Sequence, residues 1–161
     1  MTIQIRSATV VDVPSILSFI QALATYEQLR DRCVATEEDL RQTLFADHPF
    51  AQVVIAEYQG IAVGFALYFY NYSTFLAKPG MYLEDLFVLE AYRGKGVGFE
   101  LLKHLSKIAM AKGCGRFEWS VLDWNTPAIS FYRKIGAVGM DEWTVQRLDE
   151  LGIARLARED E

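Results

Sequence analysis

Three glycines follow one arginine in the segment Arg93-Gly94-Lys95-Gly96-Val97-Gly98. Glycine has no Cβ atom, so the backbone can turn tightly there and approach a ligand closely. A helical apolar pattern begins directly afterwards, and the first N–H groups of a helix attract anions. The segment does not fit the dinucleotide pattern GxGxxG, because its third glycine comes one residue early, and it lacks the Gly-Lys-Ser/Thr of the nucleoside triphosphate loop. It therefore predicts a pyrophosphate-binding loop of another kind.

Two adjacent carboxylates, Glu84 and Asp85, interrupt an otherwise apolar strand pattern at positions 81–89. Side chains alternate along a strand, so we expect the two to point to opposite faces of the sheet. A buried, unpaired carboxylate is costly, and at least one of the two is therefore predicted to act in the chemistry. The alternative is that an arginine or backbone amides satisfy each of them. Glu27, on the apolar face of an earlier predicted helix, either reaches solvent at the helix end or points into a cavity.

The elements that would position these residues follow from hydrophobic periodicity and turn signals. The predicted strands are 3–8, 52–57, 61–70, 81–89, 116–122 and 136–148, and residues 71–80 are predicted to be a loop. The predicted helices follow Asp12, Thr36, the glycine-rich segment and Asn125, and a terminal helix is predicted from Asp149. This order predicts a mixed α/β sheet in one domain over residues 1–161.

Composition excludes several classes of protein. The 161 residues carry a net charge of −5 and no basic stripe, which argues against a nucleic-acid partner and mildly favours a cationic substrate. No apolar run could span a bilayer, and the first residues are not typical of a signal peptide. Cys33 and Cys114 lie far apart without CxxC spacing, and His48 and His104 do not pair with acids in a pattern typical of a zinc site. We therefore expect a cytoplasmic protein with reduced cysteines and no metal, rather than a disulfide.

Three sequence blocks together carry a family resemblance. They are the R-x-x-G-x-G loop, the block Tyr-Leu-Glu-Asp-Leu-Phe-Val at 82–88, and the block Trp-Asn-Thr-Pro-Ala-Ile-Ser-Phe-Tyr-Arg-Lys-Ile-Gly-Ala at 124–137. They resemble the GNAT superfamily of N-acetyltransferases, and in particular its diamine (spermidine/spermine) N-acetyltransferase branch. Residues 23–27 and 48–50 extend the likeness upstream. The resemblance implies a GNAT-like fold with a mostly antiparallel sheet flanked by helices, acetyl-CoA as co-substrate, and a homodimer.

The resemblance also implies a role for each matching residue. Tyr132 would lie at the thioester sulfur, and Glu84 would remove the proton of the amine. Acetyl-CoA would be held by Leu86, Phe87, Val88, Arg93, Gly94, Lys95, Gly96, Val97, Gly98, Phe99, Asn125, Thr126, Pro127, Ala128 and Tyr132. The amine pocket would be lined by Tyr26, Glu27, Glu84, Asp85, Glu118, Trp119 and Ser120.

These residues predict acetyl transfer to the primary amine of a small cation, such as a polyamine, a diamine or a lysine-like amino acid. Direct attack is expected, because neither cysteine lies in a motif suited to a covalent intermediate. Tyr132 either protonates the sulfur or only donates a hydrogen bond to it, and its other interpretation is core packing beside Phe131. The alternative functions are acetyl transfer to a protein or peptide amine and a non-catalytic acyl-CoA sensor.

Overall fold

The computed structural model describes residues 2–159. The strands are β1 (Ile3–Ser7), β2 (Gln52–Tyr58), β3 (Ile61–Ser73), β4 (Lys78–Val88) and β5 (Arg116–Trp119). The helices are α1 (Val13–Tyr26), α2 (Glu37–Leu44), α3 (Val97–Ala111), α4 (Thr126–Lys134) and α5 (Glu150–Ala157). The helix predicted after Thr36 is confirmed, and the hydroxyl of Thr36 caps it by accepting from the N–H of Asp39. The terminal helix predicted from Asp149 is also confirmed, and the carboxylate of Asp149 accepts from the N–H of Gly152.

The chain divides into two compact units, one ending at Leu122 and one beginning at Asp123. The first unit contains a five-stranded sheet in the order β1-β2-β3-β4-β5. Its first three pairings are antiparallel, and β4 and β5 are parallel. The prediction of an α/β fold with a mixed, mostly antiparallel sheet is therefore confirmed.

Helices α1 and α3 cover opposite faces of this sheet. On one face, Val13, Ile16 and Phe19 of α1 pack in a buried cluster with Val53, Ile55, Phe65 and Phe87. Phe19 stacks on Phe65 with ring centroids 5.5 Å apart. Leu86, the neighbour of Phe87, points to the other face, where it lies against Gly98 in the first turn of α3.

Arg6 ties β1 to the start of α1. Its two terminal nitrogens donate to the two carboxylate oxygens of Asp12, each at 2.8 Å, and its Nε donates to Glu57 of β2. Asp12 also accepts from the N–H of Thr9 at 2.7 Å. The guanidinium of Arg6 holds the pKa of Asp12 below its usual value.

The predicted loop at 71–80 is wrong at both ends. Strand β3 continues to Ser73, and β4 begins at Lys78, so the turn spans only residues 74–77. Pro79 is tolerated within β4 because its carbonyl accepts from the N–H of Gly115, which places its backbone groups on the side away from β3. Its missing N–H therefore removes no bond from the β3–β4 ladder.

The predicted strand at 136–148 is also wrong. No strand is assigned in the second unit as far as residue 159, so this segment has no strand beside it there to complete a ladder. Val138, Trp143 and Val145, which are residue types that favour strands, are each at least 75% exposed. The strand predicted at 116–122 is shorter than expected and ends at Trp119.

Candidate active site

A β-bulge in β4 replaces the regular alternation that the sequence predicts. Asp85 pairs with Leu67, and Leu83 pairs with the next residue of β3, Tyr68, so Glu84 is an extra residue without a partner. Asp85 lies two residues from buried Phe87 and opposite Leu67, on the face covered by α1. Tyr82, three residues from Asp85, lies on this same face because the bulge shifts the alternation by one residue. The regular alternation from which opposite faces were expected for Glu84 and Asp85 is therefore interrupted at Glu84.

Glu84 and Asp85 form a carboxylate cluster with Glu27, the residue that caps the end of α1. Burial, and then the charges of Glu84 and Glu27, raise the pKa of Asp85 to about 6. Partial burial, and then the charge of Glu84, raise the pKa of Glu27. Among residues 2–159, none of the three carboxylates has an ion pair or a hydrogen bond. The cluster is thus a concentration of negative charge that no cation of the described chain compensates at close range.

The strand β4 has an open edge directly beside this cluster. Its pairing with β5 ends at Leu83 and Trp119, whereas β4 itself continues to Val88. The N–H of Leu89 donates to Val63 on the β3 side, and the direction alternates along an antiparallel strand, so Phe87 faces β3 while Leu86 and Val88 face the open edge. Of the three β4 residues predicted to hold acetyl-CoA, Leu86 and Val88 therefore offer main-chain groups to a strand-like ligand, and Phe87 does not.

The glycine-rich segment joins β4 to α3 in the predicted position. Gly94 and Gly96 have φ values of 73° and 88°, which L side chains rarely adopt, and a Cβ atom added at either would meet no atom within 4 Å. Glu100 donates the first hydrogen bond of α3, to the carbonyl of Gly96. The N–H groups of Val97, Gly98 and Phe99 therefore precede the helical ladder and point out of its N-terminus, which is the arrangement that binds phosphate.

The two cations of the loop lie on aromatic rings. The guanidinium carbon of Arg93 is 5.1 Å from the ring centroid of Tyr26 and 5.2 Å from that of Phe87, and its Nε donates to the carbonyl of Val88 at 2.8 Å. The ammonium of Lys95 is 5.5 Å from the ring centroid of Tyr92. The side chains of both residues, predicted to hold acetyl-CoA, are thus packed against the protein itself.

The remaining predicted pocket residues of the first unit lie at the end of β5. Glu118 forms an ion pair with Arg116 at 3.0 Å, so its charge is compensated, unlike those of the carboxylate cluster. The hydroxyl of Ser120 shares a hydrogen bond of 2.9 Å with that of Tyr82 on β4. Trp119 packs edge-on against Phe117, with ring centroids 5.1 Å apart.

The second unit places the other predicted residues at the start and middle of α4. Buried Asn125 caps this helix, because its side-chain oxygen accepts from the N–H of Ala128, and Thr126 and Pro127 form its first turn. Tyr132 lies partly buried on the same helix beside Phe131, with ring centroids 5.8 Å apart. The third block of the sequence resemblance, at 124–137, therefore contains one capped helix.

A family of known proteins matches the part of the chain that contains the predicted site residues. The model of the acetyltransferase (GNAT) family matches residues 21–137, which include the carboxylate cluster, the glycine-rich segment and α4. The chain belongs to the GNAT family of acetyltransferases.

The relatives of this acetyltransferase include curated enzymes of similar length. It is 38% identical to the thialysine N-epsilon-acetyltransferase of Sus scrofa over 149 residues, which is 88% of this chain and 87% of the pig protein. It is 35% identical to the L-ornithine N5-acetyltransferase NATA1 of Arabidopsis thaliana, over 90% of this chain and 83% of the plant protein. Among solved structures, an integron cassette protein from V. cholerae superposes with a TM-score of 0.81 at 31% identity over 99% of both chains. The chain is thus an N-acetyltransferase.

GNAT acetyltransferases use acetyl-CoA, and the residues of this member fit that molecule. Its pyrophosphate matches the N–H groups at the start of α3, and the open edge of β4 suits an extended amide-containing arm. Within the part of the chain that the structure describes, no group of three His, Cys, Asp or Glu side chains could hold a metal ion. In the same residues, no helix is both long and apolar enough to cross a bilayer.

Sequence reasoning missed three features of this acetyltransferase. It did not find the bulge at Glu84, the hydrogen bond between Tyr82 and Ser120, or the stacking of Arg93 on Phe87. Two adjacent carboxylates inside an apolar strand signal an irregularity, since regular alternation would bury one of them. The hydrogen bond between Tyr82 and Ser120 joins residues 38 positions apart, and the stacking of Arg93 on Phe87 depends on how the chain turns after β4, so neither carries a local signal.

Proposed function

We propose that this acetyltransferase moves an acetyl group from acetyl-CoA to the primary amine of a small cation, by direct attack in a ternary complex. The observation that carries the proposal is the uncompensated carboxylate cluster of Glu27, Glu84 and Asp85 beside the open edge of β4. Negative charge without a protein partner attracts a compact cation, and the adjacent edge is the predicted place of the acyl donor. The family model spans both compact units, which supports one N-acetyltransferase domain over residues 1–161.

The chain would hold the acyl donor mainly through its backbone. The N–H groups of Val97, Gly98 and Phe99 are assigned to the pyrophosphate, and main-chain groups of Leu86 and Val88 to the pantetheine arm. The bound thioester supplies the acetyl group and a thiol leaving group. The capped start of α4, at residues 125–128, is assigned to the donor by resemblance to the family.

Removing a proton from the amine is the first energetic problem. An alkyl ammonium of pKa about 10.4 lies about 3.4 units above neutral pH, so exposing its lone pair costs about 4.6 kcal/mol. Glu84 is exposed on the bulge and is assigned as the proton acceptor, directly or through one water. Asp85 is the second candidate, because its pKa of about 6 is close to the pH at which a base operates best.

Tyr132 is assigned to the departing sulfur. Protonation of a thiolate of pKa about 8.5 by a tyrosine of pKa about 10 is uphill by roughly 2 kcal/mol. We therefore assign Tyr132 a hydrogen bond to the sulfur, which stabilises the developing thiolate, while the proton comes from the amine through the carboxylate.

The relatives narrow the choice of amine. The pig and Arabidopsis proteins are named for thialysine and ornithine, which are small amino acids with a side-chain amine. Lysine-like amino acids are therefore the first amines to test as substrates, followed by diamines and polyamines. Acetylation of a protein or peptide amine and acyl-CoA sensing are the alternative functions. A cytoplasmic location and a homodimer are still predictions of the sequence, and light scattering would test the dimer.

Release of CoA tests the function directly. Purified protein is incubated with acetyl-CoA and, in turn, thialysine, ornithine, lysine, putrescine, spermidine, an aminoglycoside or a short lysine peptide. Turnover with a small cation, lowered about 100-fold in Glu84→Gln and at least about tenfold in Tyr132→Phe, would support the proposal. Glu38→Gln and Tyr70→Phe are the matched controls, because neither residue belongs to the proposed site. Turnover with the peptide alone would overturn the small-molecule assignment, and tight acetyl-CoA binding without turnover would favour the sensor.

A further inference from the structure

The side chain of Arg93 contacts two elements of the first unit, β4 and α1. Its Nε donates to the carbonyl of Val88 at the end of β4, and its guanidinium lies over the rings of Phe87 in β4 and Tyr26 in α1. Its own backbone leads into Gly94, the first glycine of the acyl-donor loop. One side chain thus connects the last residue of α1, the end of β4 and the start of the loop.

An arginine can make this connection because of its shape. The planar guanidinium can stack on aromatic rings while its Nε donates in the plane to a carbonyl, whereas an ammonium is a point charge without a face. Each cation–π contact in this distance range is favourable, and the two contacts here act on one group. A lysine at this position would keep the charge and lose the defined geometry.

Tyr26 and Glu27 are chain neighbours at the end of α1, so the docking of Tyr26 constrains the backbone of Glu27. Tyr26 is the last residue of α1, and Glu27 caps the helix with its N–H bonded to the carbonyl of Leu23. Glu27 belongs to the carboxylate cluster with Glu84 and Asp85. A displacement of the Tyr26 ring would therefore move the carboxylate that the proposed function assigns to the amine.

We propose that Arg93 is a positioning residue. Its side chain holds the end of α1 against the acyl-donor loop and thereby positions Glu27 to bind the amine. It is not a ligand of the donor pyrophosphate. The inference rests on the amine site of the proposed function. Arg93 acts through Tyr26 and does not touch the substrate. Its loss therefore weakens amine binding and leaves donor binding nearly unchanged.

The test separates the two binding partners. Calorimetry measures the Kd of acetyl-CoA, and separately the Kd of thialysine and of spermidine for protein saturated with CoA, so the result does not depend on turnover. In Arg93→Lys, we expect amine Kd to rise about fivefold or more, while the Kd of acetyl-CoA stays within about twofold. Arg41→Lys, an exposed arginine on α2 that pairs with Glu37 and Glu38, is the control and should change neither. A weaker acetyl-CoA affinity with unchanged amine affinity would identify Arg93 as a phosphate ligand and overturn the proposal.

A second comparison tests whether the effect of Arg93→Lys depends on the aromatic ring at position 26. Arg93→Lys is repeated in a Tyr26→Phe background, which keeps a ring, and in a Tyr26→Leu background, which removes it. The effect of Arg93→Lys on amine Kd should persist with phenylalanine and shrink to within about twofold with leucine. An equal effect in both backgrounds would overturn the role of Tyr26, even if Arg93→Lys also lowers the Tm. Wild-type protein that binds these amines but acetylates none of them would reject the proposed function without rejecting this inference.

Discussion

Asp85 lies directly opposite Leu67 in the β3–β4 ladder and places a carboxylate on the sheet face that α1 covers. Burial, and then the charges of Glu84 and Glu27, raise its pKa from 3.8 to about 6. A group whose native pKa lies above its unfolded value binds more protons in the native state. Stability therefore falls as the pH rises through the interval between the two values.

Asp85→Asn should stabilise the protein at neutral pH. The substitution removes a charge whose ionisation opposes folding, and a shift of this size corresponds to an increase of about 1–3 kcal/mol in the free energy of unfolding at about pH 7.5. The advantage should disappear at about pH 3.5, below both pKa values. Urea unfolding at the two pH values measures it, with exposed Asp47→Asn as the control. The same advantage at both values would contradict the raised pKa.

The affinity for the amine should depend on the ionisation of the same residue. Below about pH 6 Asp85 is increasingly protonated, so the cluster loses negative charge and the KM for the amine should rise as the pH falls. The substrate stays cationic throughout this range. Initial rates at several pH values measure the KM for wild-type protein and Asp85→Asn. A rise of equal size in the variant would assign the pH dependence to another group.

Gly96→Ala should impair both stability and donor binding. The φ of 88° at Gly96 disfavours a Cβ atom by roughly 1–2 kcal/mol, and relaxation of the backbone would redirect the N–H groups at the start of α3. Gly60→Ala is a matched control, because Gly60 has a φ of 77° and equal space but lies in the β2–β3 turn. Both variants should lose similar stability in thermal unfolding, and only Gly96→Ala should lose acetyl-CoA affinity in calorimetry. Equal donor affinity in the two variants would exclude the loop from phosphate binding.

Asp12→Asn should destabilise the first unit at neutral pH by about 1 kcal/mol, a small value because Arg6 is partly exposed to screening solvent. The pKa of Asp12 is lowered in the native state, so its contribution is present above the unfolded value and is lost as the pH falls through the native value. Asparagine can still accept from the N–H of Thr9 but keeps only one acceptor oxygen for Arg6, so the substitution removes the charge and one of the two hydrogen bonds from Arg6. Unfolding at about pH 7 and about pH 2 measures the difference, with Asp31→Asn as the control. A loss that persists at the lower pH would mean that the charge is not its cause.

Local signals predicted most of the fold correctly. The helices that begin after Thr36, Asn125 and Asp149, and the glycine-rich segment before α3, each depend on a few neighbouring residues, and each is confirmed. The strand at 136–148 failed because strand formation requires a partner, and strand-favouring residue types do not specify one. The loop at 71–80 failed because the effect of Pro79 depends on which side of the strand its backbone faces, and this is determined by its neighbours.

The site was predictable in composition but not in geometry. Residue types predicted the acids of β4 and the glycine-rich segment before α3 as parts of the site, since both predictions depend on local chemistry. The extra residue at Glu84 appears only when β3 is aligned with β4, and it decides which face each acid occupies. The packing of Arg93 on Tyr26 and Phe87 requires α1 to be docked on the sheet. Such relationships belong to the tertiary structure, and no single stretch of sequence contains them.

The way β4 pairs with its neighbours also bears on how this acetyltransferase can evolve. In the proposed site, the strand meets the acyl donor through the backbone of Leu86 and Val88 and meets the amine through the side chains of Glu84 and Asp85. Backbone groups are the same for every residue type except proline, so substitutions at 84 and 85 can change the preferred amine without altering how the donor is held. Relatives that diverge in substrate while sharing one donor are the expected result, and these two positions are the first to vary in a search for new amine specificities.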